Sequence, residues 1–374
     1  MERLAGKIQT YAWGSKFSIP ELMGVEPDGT HQAELWLGTH PAAPTKLARS
    51  GRLLEDHVGG PLPFLLKILA SEAPLSIQVH PDQTQAIQGF ERENALGIAL
   101  TDSARTYKDA NHKPELLCAL GSFWALCGFR QSADMAALLT QLNLEHPITP
   151  HSTPDDIRAY VAHLFALPLD KQRHLAETVE FSAVGLVYDI TTGAISDRVH
   201  VGEWLVRIAI HYPGDIGVVI AAMLNLVHLH AGEAIYLDAG NLHAYLYGTG
   251  IELMAASDNV VRGGLTPKHI DTSELVKILD TRPLADPVLW PIDDVDGWQI
   301  YTTPAADFNL RVAHVDAGKS IAWTAPSPEI VLCTSGSFDS PAGPIGPGEA
   351  AYIAAGESAS LQSNDAGSTI YRAS

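Results

Sequence analysis

Cysteine is scarce. The 374 residues contain three, Cys118, Cys127 and Cys333, and none belongs to a Cys-x-x-Cys pair. That excludes a disulfide framework and a thiolate zinc site. Positive charge is short as well, with 24 Lys and Arg against 43 Asp and Glu and a net charge of −19. Nucleic acid and anionic membrane surfaces both ask for a basic patch, so neither is expected as a partner. No apolar run reaches membrane-spanning length. The start Met1-Glu2-Arg3-Leu4 has no signal-peptide hydrophobic region, so a reducing cytoplasm is the expected compartment. What is present is ordinary for a globular protein: 46% hydrophobic and 18% charged residues. The length allows two or three domains.

An acidic protein that handles an anionic substrate must gather its few cations in one place. Each Lys or Arg near a candidate site is therefore informative. Three stretches stand out. Leu75-Ser76-Ile77-Gln78-Val79-His80-Pro81 alternates apolar and polar residues, the period of a β-strand. Gln78 and His80 share a face, on the order of 7 Å apart. A half-buried strand with one wet face is the plain reading. Asn111-His112-Lys113-Pro114-Glu115 and Asn241-Leu242-His243-Ala244-Tyr245 change it, because together the three stretches offer Gln78, His80, Glu115 and His243 to one metal ion. Pro114 belongs at a strand start, since it cannot donate to the ladder.

Residues 1–70 read as short strands and turns. Gln32 to Pro41 alternates around Leu35 and Leu37, and places Glu34, Trp36 and His40 where they can line a pocket. Leu65-Leu66-Lys67-Ile68-Leu69 is an apolar strand, and Gln83 to Phe90 is a short helix. From Gln131 to about Met223 the period becomes helical. Thr153 is an N-cap, Pro154 takes the first helical position, and Asp155 and Asp156 fill the first turn. Ile157, Tyr160, Val161, Leu164 and Phe165 then form one apolar stripe. Further helices are expected near Lys171–Glu180 and Gly202–His211.

Strands resume at Leu224. Gly232-Glu233-Ala234-Ile235-Tyr236-Leu237-Asp238-Ala239-Gly240 has a remote copy in Gly348-Glu349-Ala350-Ala351-Tyr352-Ile353-Ala354-Ala355-Gly356. The repeat predicts two related β-barrel units. Ala359 stands where the second copy would need the counterpart of His243. Between the copies, Ile251 to Lys268 carries Glu252, Asp258, Arg262 and Lys268. Its Arg262-Gly263-Gly264 reads as a turn that lets backbone approach a ligand, or as a charged surface loop.

These motifs, with Tyr11–Ser15 and Gly128-Phe129-Arg130, resemble the type I mannose-6-phosphate isomerases of the cupin superfamily across nearly the whole chain. Ala231 and Asp238 stand where that family often has Pro, outside the ligand set. The resemblance implies a mainly β fold with an α-helical insertion: two cupin-like β-barrels, or jelly rolls, plus a helical domain. Residues 1–130 and 224–290 would form the metal-bearing barrel, 131–223 the inserted helical domain, and 291–374 a C-terminal barrel lacking the ligands. It implies one Zn²⁺ on Gln78, His80, Glu115 and His243, and an active-site Arg262.

The implied reaction interconverts D-mannose 6-phosphate and D-fructose 6-phosphate through an enediol. It needs a proton carrier and a stabilised oxyanion. Lys113, His112 and Asp258 are the carrier candidates; Ser76, Lys268 and Glu252 are the substrate-binding ones. The expected protein is a cytoplasmic monomer or weak homo-oligomer. Competing readings are a non-catalytic cupin sugar-phosphate sensor and another cupin enzyme, a glucose-6-phosphate isomerase or an iron oxygenase. The His, Gln, Glu, His set beside Arg262 and Lys268 disfavours the oxygenase.

Overall fold

The computed structural model describes residues 1–187 and 197–374. The fold is mainly β-sheet with several helices. One sheet runs through the strands Val288–Leu289, Ala234–Leu237, Glu115–Ala119, His243–Ala255, Phe64–Ser71, Glu34–Leu37 and Lys7–Gln9. Four more strands branch from it: Ile77–Val79, Phe123–Phe129, Leu224–Leu229 and Val261–Gly264. The pairings leave an open sheet, and no ring of strands closes among the described residues.

The thirteen-residue strand His243–Ala255 holds this assembly together. Its first half pairs with Ile77–Val79 and Phe123–Phe129, and its second half with Phe64–Ser71 and Glu115–Ala119. A bulge between Tyr245 and Tyr247 re-aims it from one partner set to the other. His243 and Glu252 therefore sit on one strand but in different partner sets, His243 opposite Gln78 and Glu252 opposite Lys67 and Leu117.

An eight-stranded sheet packs against this one. It takes Leu310–Val315, Ser368–Ala373, Glu329–Ser335 and Ala350–Ile353 from the C-terminal part, and the N-terminal strands Glu2–Ala5 and Lys46–Leu47 join its edge. The chain's first strand thus belongs with its last hundred residues. Leu116, Ile251 and Leu253 meet Leu310, Tyr352 and Tyr371 in one core between the sheets. Buried Cys118 is part of it, with Sγ 3.0 Å from the Tyr301 hydroxyl, and burial pushes its thiol up to about 11.

The repeat is real at the level of backbone. Gly232 and Gly348 have φ of +86° and +78°, where an L side chain is strained. Glu233 then accepts the His230 N–H at 2.7 Å, and Glu349 accepts the Gly346 N–H at 2.8 Å, three residues back in both copies. A strand follows each turn, Ala234–Leu237 and Ala350–Ile353.

Helices fill most of 132–223. Thr153 caps Pro154–Ala166 through a reciprocal pair with Asp156, and Ile157, Tyr160, Val161 and Leu164 are buried. Leu169–Val187 and Asp197–His211 supply the two further helices expected, while residues 188–196 of the expected insertion lie outside the described residues. The helix after Pro81 runs to Ala95, longer than its sequence pattern. Buried Glu93 explains the extra turn, since its carboxylate accepts the N–H groups of Thr106 and Tyr107.

Candidate metal centre

His80, Glu115 and His243 are buried together, and one ligand atom from each lies within 4.8 Å of the others. Each arrives by a local rule. His80 follows the strand Ile77–Val79, Glu115 opens its strand directly after Pro114, and His243 opens the long strand opposite Gln78. Nε2 of His80 is 3.3 Å from one Glu115 oxygen, and Nε2 of His243 is 3.5 Å from the other.

The second ring nitrogen decides what each histidine offers. His80 Nδ1 is 2.8 Å from the Asn259 carbonyl, and His243 Nδ1 is 2.9 Å from the Asn241 carbonyl. A carbonyl only accepts, so Nδ1 carries the proton in both rings and Nε2 is the free face. Both Nε2 atoms and one Glu115 oxygen are buried without a hydrogen-bond partner. Three orphaned buried acceptors aimed at one point would be costly unless a cation joins them. The donor set of two imidazoles and a carboxylate fits a divalent transition metal with a position left open. Gln78, half-buried and paired with His243 across the strands, lines the adjoining cleft.

Charge fits the same picture. Burial lowers His80 to about 4 despite the pull of Glu115, so its ring is neutral and ready to ligate. Burial works against a charged Glu115, but Lys113 beside it holds the carboxyl well below its ordinary range. Lys113 Nζ lies 2.9 Å from Glu115 Oε1 with both side chains buried.

The cleft beside this centre has a volume of about 720 Å³. Ser76, Gln78, Lys113, Glu115, Glu252, Arg262 and Lys268 line it. Arg262 is half-buried, and burial lowers its guanidinium below the ordinary value. It lies within the strand Val261–Gly264, paired to Gln78, so the expected turn or surface loop is a strand. Its glycines serve packing. Gly264 has φ +124°, and a Cβ there would stand 2.5 Å from the Cα of Gly217.

Other candidates are placed elsewhere. His112 faces Asp307 of the C-terminal part, Nε2 to Oδ2 2.8 Å, and does not line the cleft. Asp258 is exposed and bonds His40 at 3.2 Å, also outside the lining. Of Glu34, Trp36 and His40, only Glu34 reaches the cleft, and the strand Glu34–Leu37 is buried on both faces.

The sequence pattern passed over Lys67. Its Nζ is 2.7 Å from Glu252 and 3.4 Å from Glu34, all three buried on the cleft floor. The two carboxylates raise Lys67 against the opposing effect of burial, and burial raises Glu252 against the pull of Lys67. A lysine inside an otherwise apolar strand was the available signal, because such a charge needs a partner. Tyr212 was also missed as a neighbour of the cleft, whereas Lys268, an expected substrate-binding residue, does line it. Asp215 binds the N–H of Gly217 and of Thr266, and so ties the helical part to the rim.

A β-rich protein with a histidine–carboxylate metal cradle beside a cation-lined cleft is the class that fold and site define. The family model for phosphomannose isomerase type I, catalytic domain, matches residues 1–132. The mannose-6-phosphate isomerase of Escherichia coli (strain K12) is 35% identical over 96% of this chain and 96% of its own. That of Bos taurus is 31% identical over 95% and 93%. A crystal structure of mannose 6-phosphate isomerase with zinc bound superposes with a TM-score of 0.87 at 30% identity, covering 100% of this chain and 98% of that one. The chain belongs to the type I phosphomannose isomerase family.

Proposed function

We propose that this chain interconverts D-mannose 6-phosphate and D-fructose 6-phosphate, with zinc held by His80, Glu115, His243 and Gln78. The observation that carries the reading is the convergence of two free Nε2 atoms and a free Glu115 oxygen, all buried, at the wall of a cationic cleft. Family membership supplies the substrate. Zinc, when bound, supplies a Lewis acid for the sugar oxygens.

The chain's own residues account for the rest. Arg262 has a planar fork free to hold a phosphate or an enediolate oxygen. Lys113 Nζ, 2.9 Å from Glu115, is placed to stabilise a developing oxyanion. Glu252, with its proton affinity raised by burial, is suited to carry the proton between C1 and C2, and Lys67 orients it at 2.7 Å. Ser76 and exposed Lys268 stand at the cleft for the phosphate. His112 and Asp258, engaged by Asp307 and His40, fit the proton-carrier role less well than Glu252.

The same reading makes 1–130 with 224–290 the catalytic cupin-like unit, apart from the strands Glu2–Ala5 and Lys46–Leu47 that join the C-terminal sheet, 131–223 its helical insertion and 291–374 the metal-free cupin-like unit. The matched turns of the repeat support two such units. No described helix is long and apolar enough to cross a membrane.

A coupled assay for fructose 6-phosphate formed from mannose 6-phosphate, run with and without chelator, tests the activity. Elemental analysis of His243→Ala tests the site. Zinc and activity should fall together, and full zinc occupancy in that variant would refute the ligand set.

A further inference from the structure

His80 is oriented by a residue that also grips the loop leading into Lys113 and Glu115. That residue is Asn259, which has no solvent exposure. Its backbone carbonyl accepts the His80 Nδ1–H. Its side chain turns to the stretch before Lys113. Oδ1 accepts the backbone N–H of Lys108 at 2.7 Å and of Asp109 at 3.3 Å. Nδ2 donates to the carbonyls of Asp109 and Asn111 at 2.9 and 2.8 Å. Asp109 answers from the other side: its carboxylate accepts the Ser257 hydroxyl and the Asp258 N–H, both at 2.9 Å.

The chemistry of this cross-link admits one side chain. Donors face Oδ1 and acceptors face Nδ2, so Asp can satisfy only half of it and an apolar residue none. A buried amide left unmatched carries a desolvation penalty that movement of the backbone on which it sits would relieve. Here that backbone is the acceptor for His80 on one side and the lead into Lys113 and Glu115 on the other.

We infer that the Asn259–Asp109 cross-link is the positioning device that holds His80 Nε2 and the Lys113–Glu115 pair at one spacing, so that metal affinity and the alignment of Lys113 are lost together when it is broken. The inference rests on His80 and Glu115 being metal ligands. Neither Asn259 nor Asp109 lines the cleft, so both act through other residues.

The test compares the unaltered protein with Asn259→Ala, Asn259→Asp and Asp109→Asn. Three quantities are measured: zinc affinity by competition with a chromogenic chelator, the visible spectrum of the cobalt-substituted protein, and the thermal midpoint of the metal-free protein. Loss of an orienting partner costs ~10–100-fold in metal affinity, and the Asn259 variants should show that loss with an altered cobalt spectrum. At saturating zinc their kcat should fall on the order of 10-fold with KM little changed. Asp109→Asn, at a partly exposed position, should move the same way by less. A lowered thermal midpoint with unchanged zinc affinity and cobalt spectrum would overturn the inference. Should the Asn259 variants not fold, unchanged zinc affinity in Asp109→Asn overturns it alone. No zinc binding by the unaltered protein would instead overturn the metal reading itself, and this inference with it.

Discussion

Glu115 and Glu329 occupy matching places in the two strand systems. Glu115 faces Leu237 across its strand pair and Glu329 faces Ile353, and those two partners are the same position of the Gly-Glu-Ala repeat. Their surroundings differ. Glu115 meets His80, His243 and Lys113. Glu329 accepts the Trp323 indole N–H at 2.7 Å, and Arg372 Nε lies 4.0 Å from its other oxygen. The Arg372 guanidinium sits over the Trp298 ring, 4.5 Å from the centroid. With Ala359 in the place of His243, this half balances its buried carboxylate with a cation of its own chain.

Removing that cation should be costly. Arg372→Met leaves the Glu329 charge buried and should lower stability by about 3 kcal/mol. Arg372→Met with Glu329→Gln should recover much of it. Urea unfolding of both variants decides, and a double variant no better than the single would refute charge balance as the cause.

At Arg262 the shape of the charge matters more than its sign. Arg262→Lys keeps the charge but loses the planar fork. A loss of at least ~10-fold in kcat/KM is expected, about 1.4 kcal/mol of transition-state stabilisation. Steady-state kinetics check it: a fall confined to kcat marks the enediolate role, a rise confined to KM marks phosphate binding. Kinetics equal to the unaltered protein in a folded, zinc-loaded variant would remove Arg262 from the site.

The acid limb of the kcat profile should follow Glu252. Its carboxyl is raised by burial, and Lys67 opposes the rise while Glu34 adds to it. The working form is the carboxylate, so activity is lost as pH falls through a value above the ordinary one. Lys67→Met removes a charge that favours the carboxylate, so the limb moves to higher pH. Glu34→Gln removes a like charge, so it moves to lower pH. A limb that stays put in both variants would exclude Glu252 as the titrating group.

Gly264 is required for packing against the helical part. Gly264→Ala must hold φ at +124° and fit a methyl 2.5 Å from Gly217 Cα, backbone that cannot swing aside. A cost of about 2 kcal/mol is expected. Gly263→Ala should cost less, since its methyl meets the flexible end of Leu242 at 3.0 Å. Thermal unfolding of the two variants gives the comparison.

The sequence by itself determined what depends on neighbours along the chain. Alternation marked the strand Ile77–Val79 that ends just before His80, Pro114 marked the strand start at Glu115, and Thr153 with Asp156 marked a helix start. The Gly-Glu turns foretold the repeated strands, because a positive φ and a three-residue back-bond are local. Only the tertiary structure decided which side chains meet across long separations. Lys67 reaches Glu252 through 185 residues of chain, and His112 is drawn to Asp307 through 195. Tyr212 and Asp215 bring the helical part to the cleft. Arg262 lies in a strand because Ile77–Val79 offers it an edge. Register and packing fix such meetings, and neither is written in any short window of sequence.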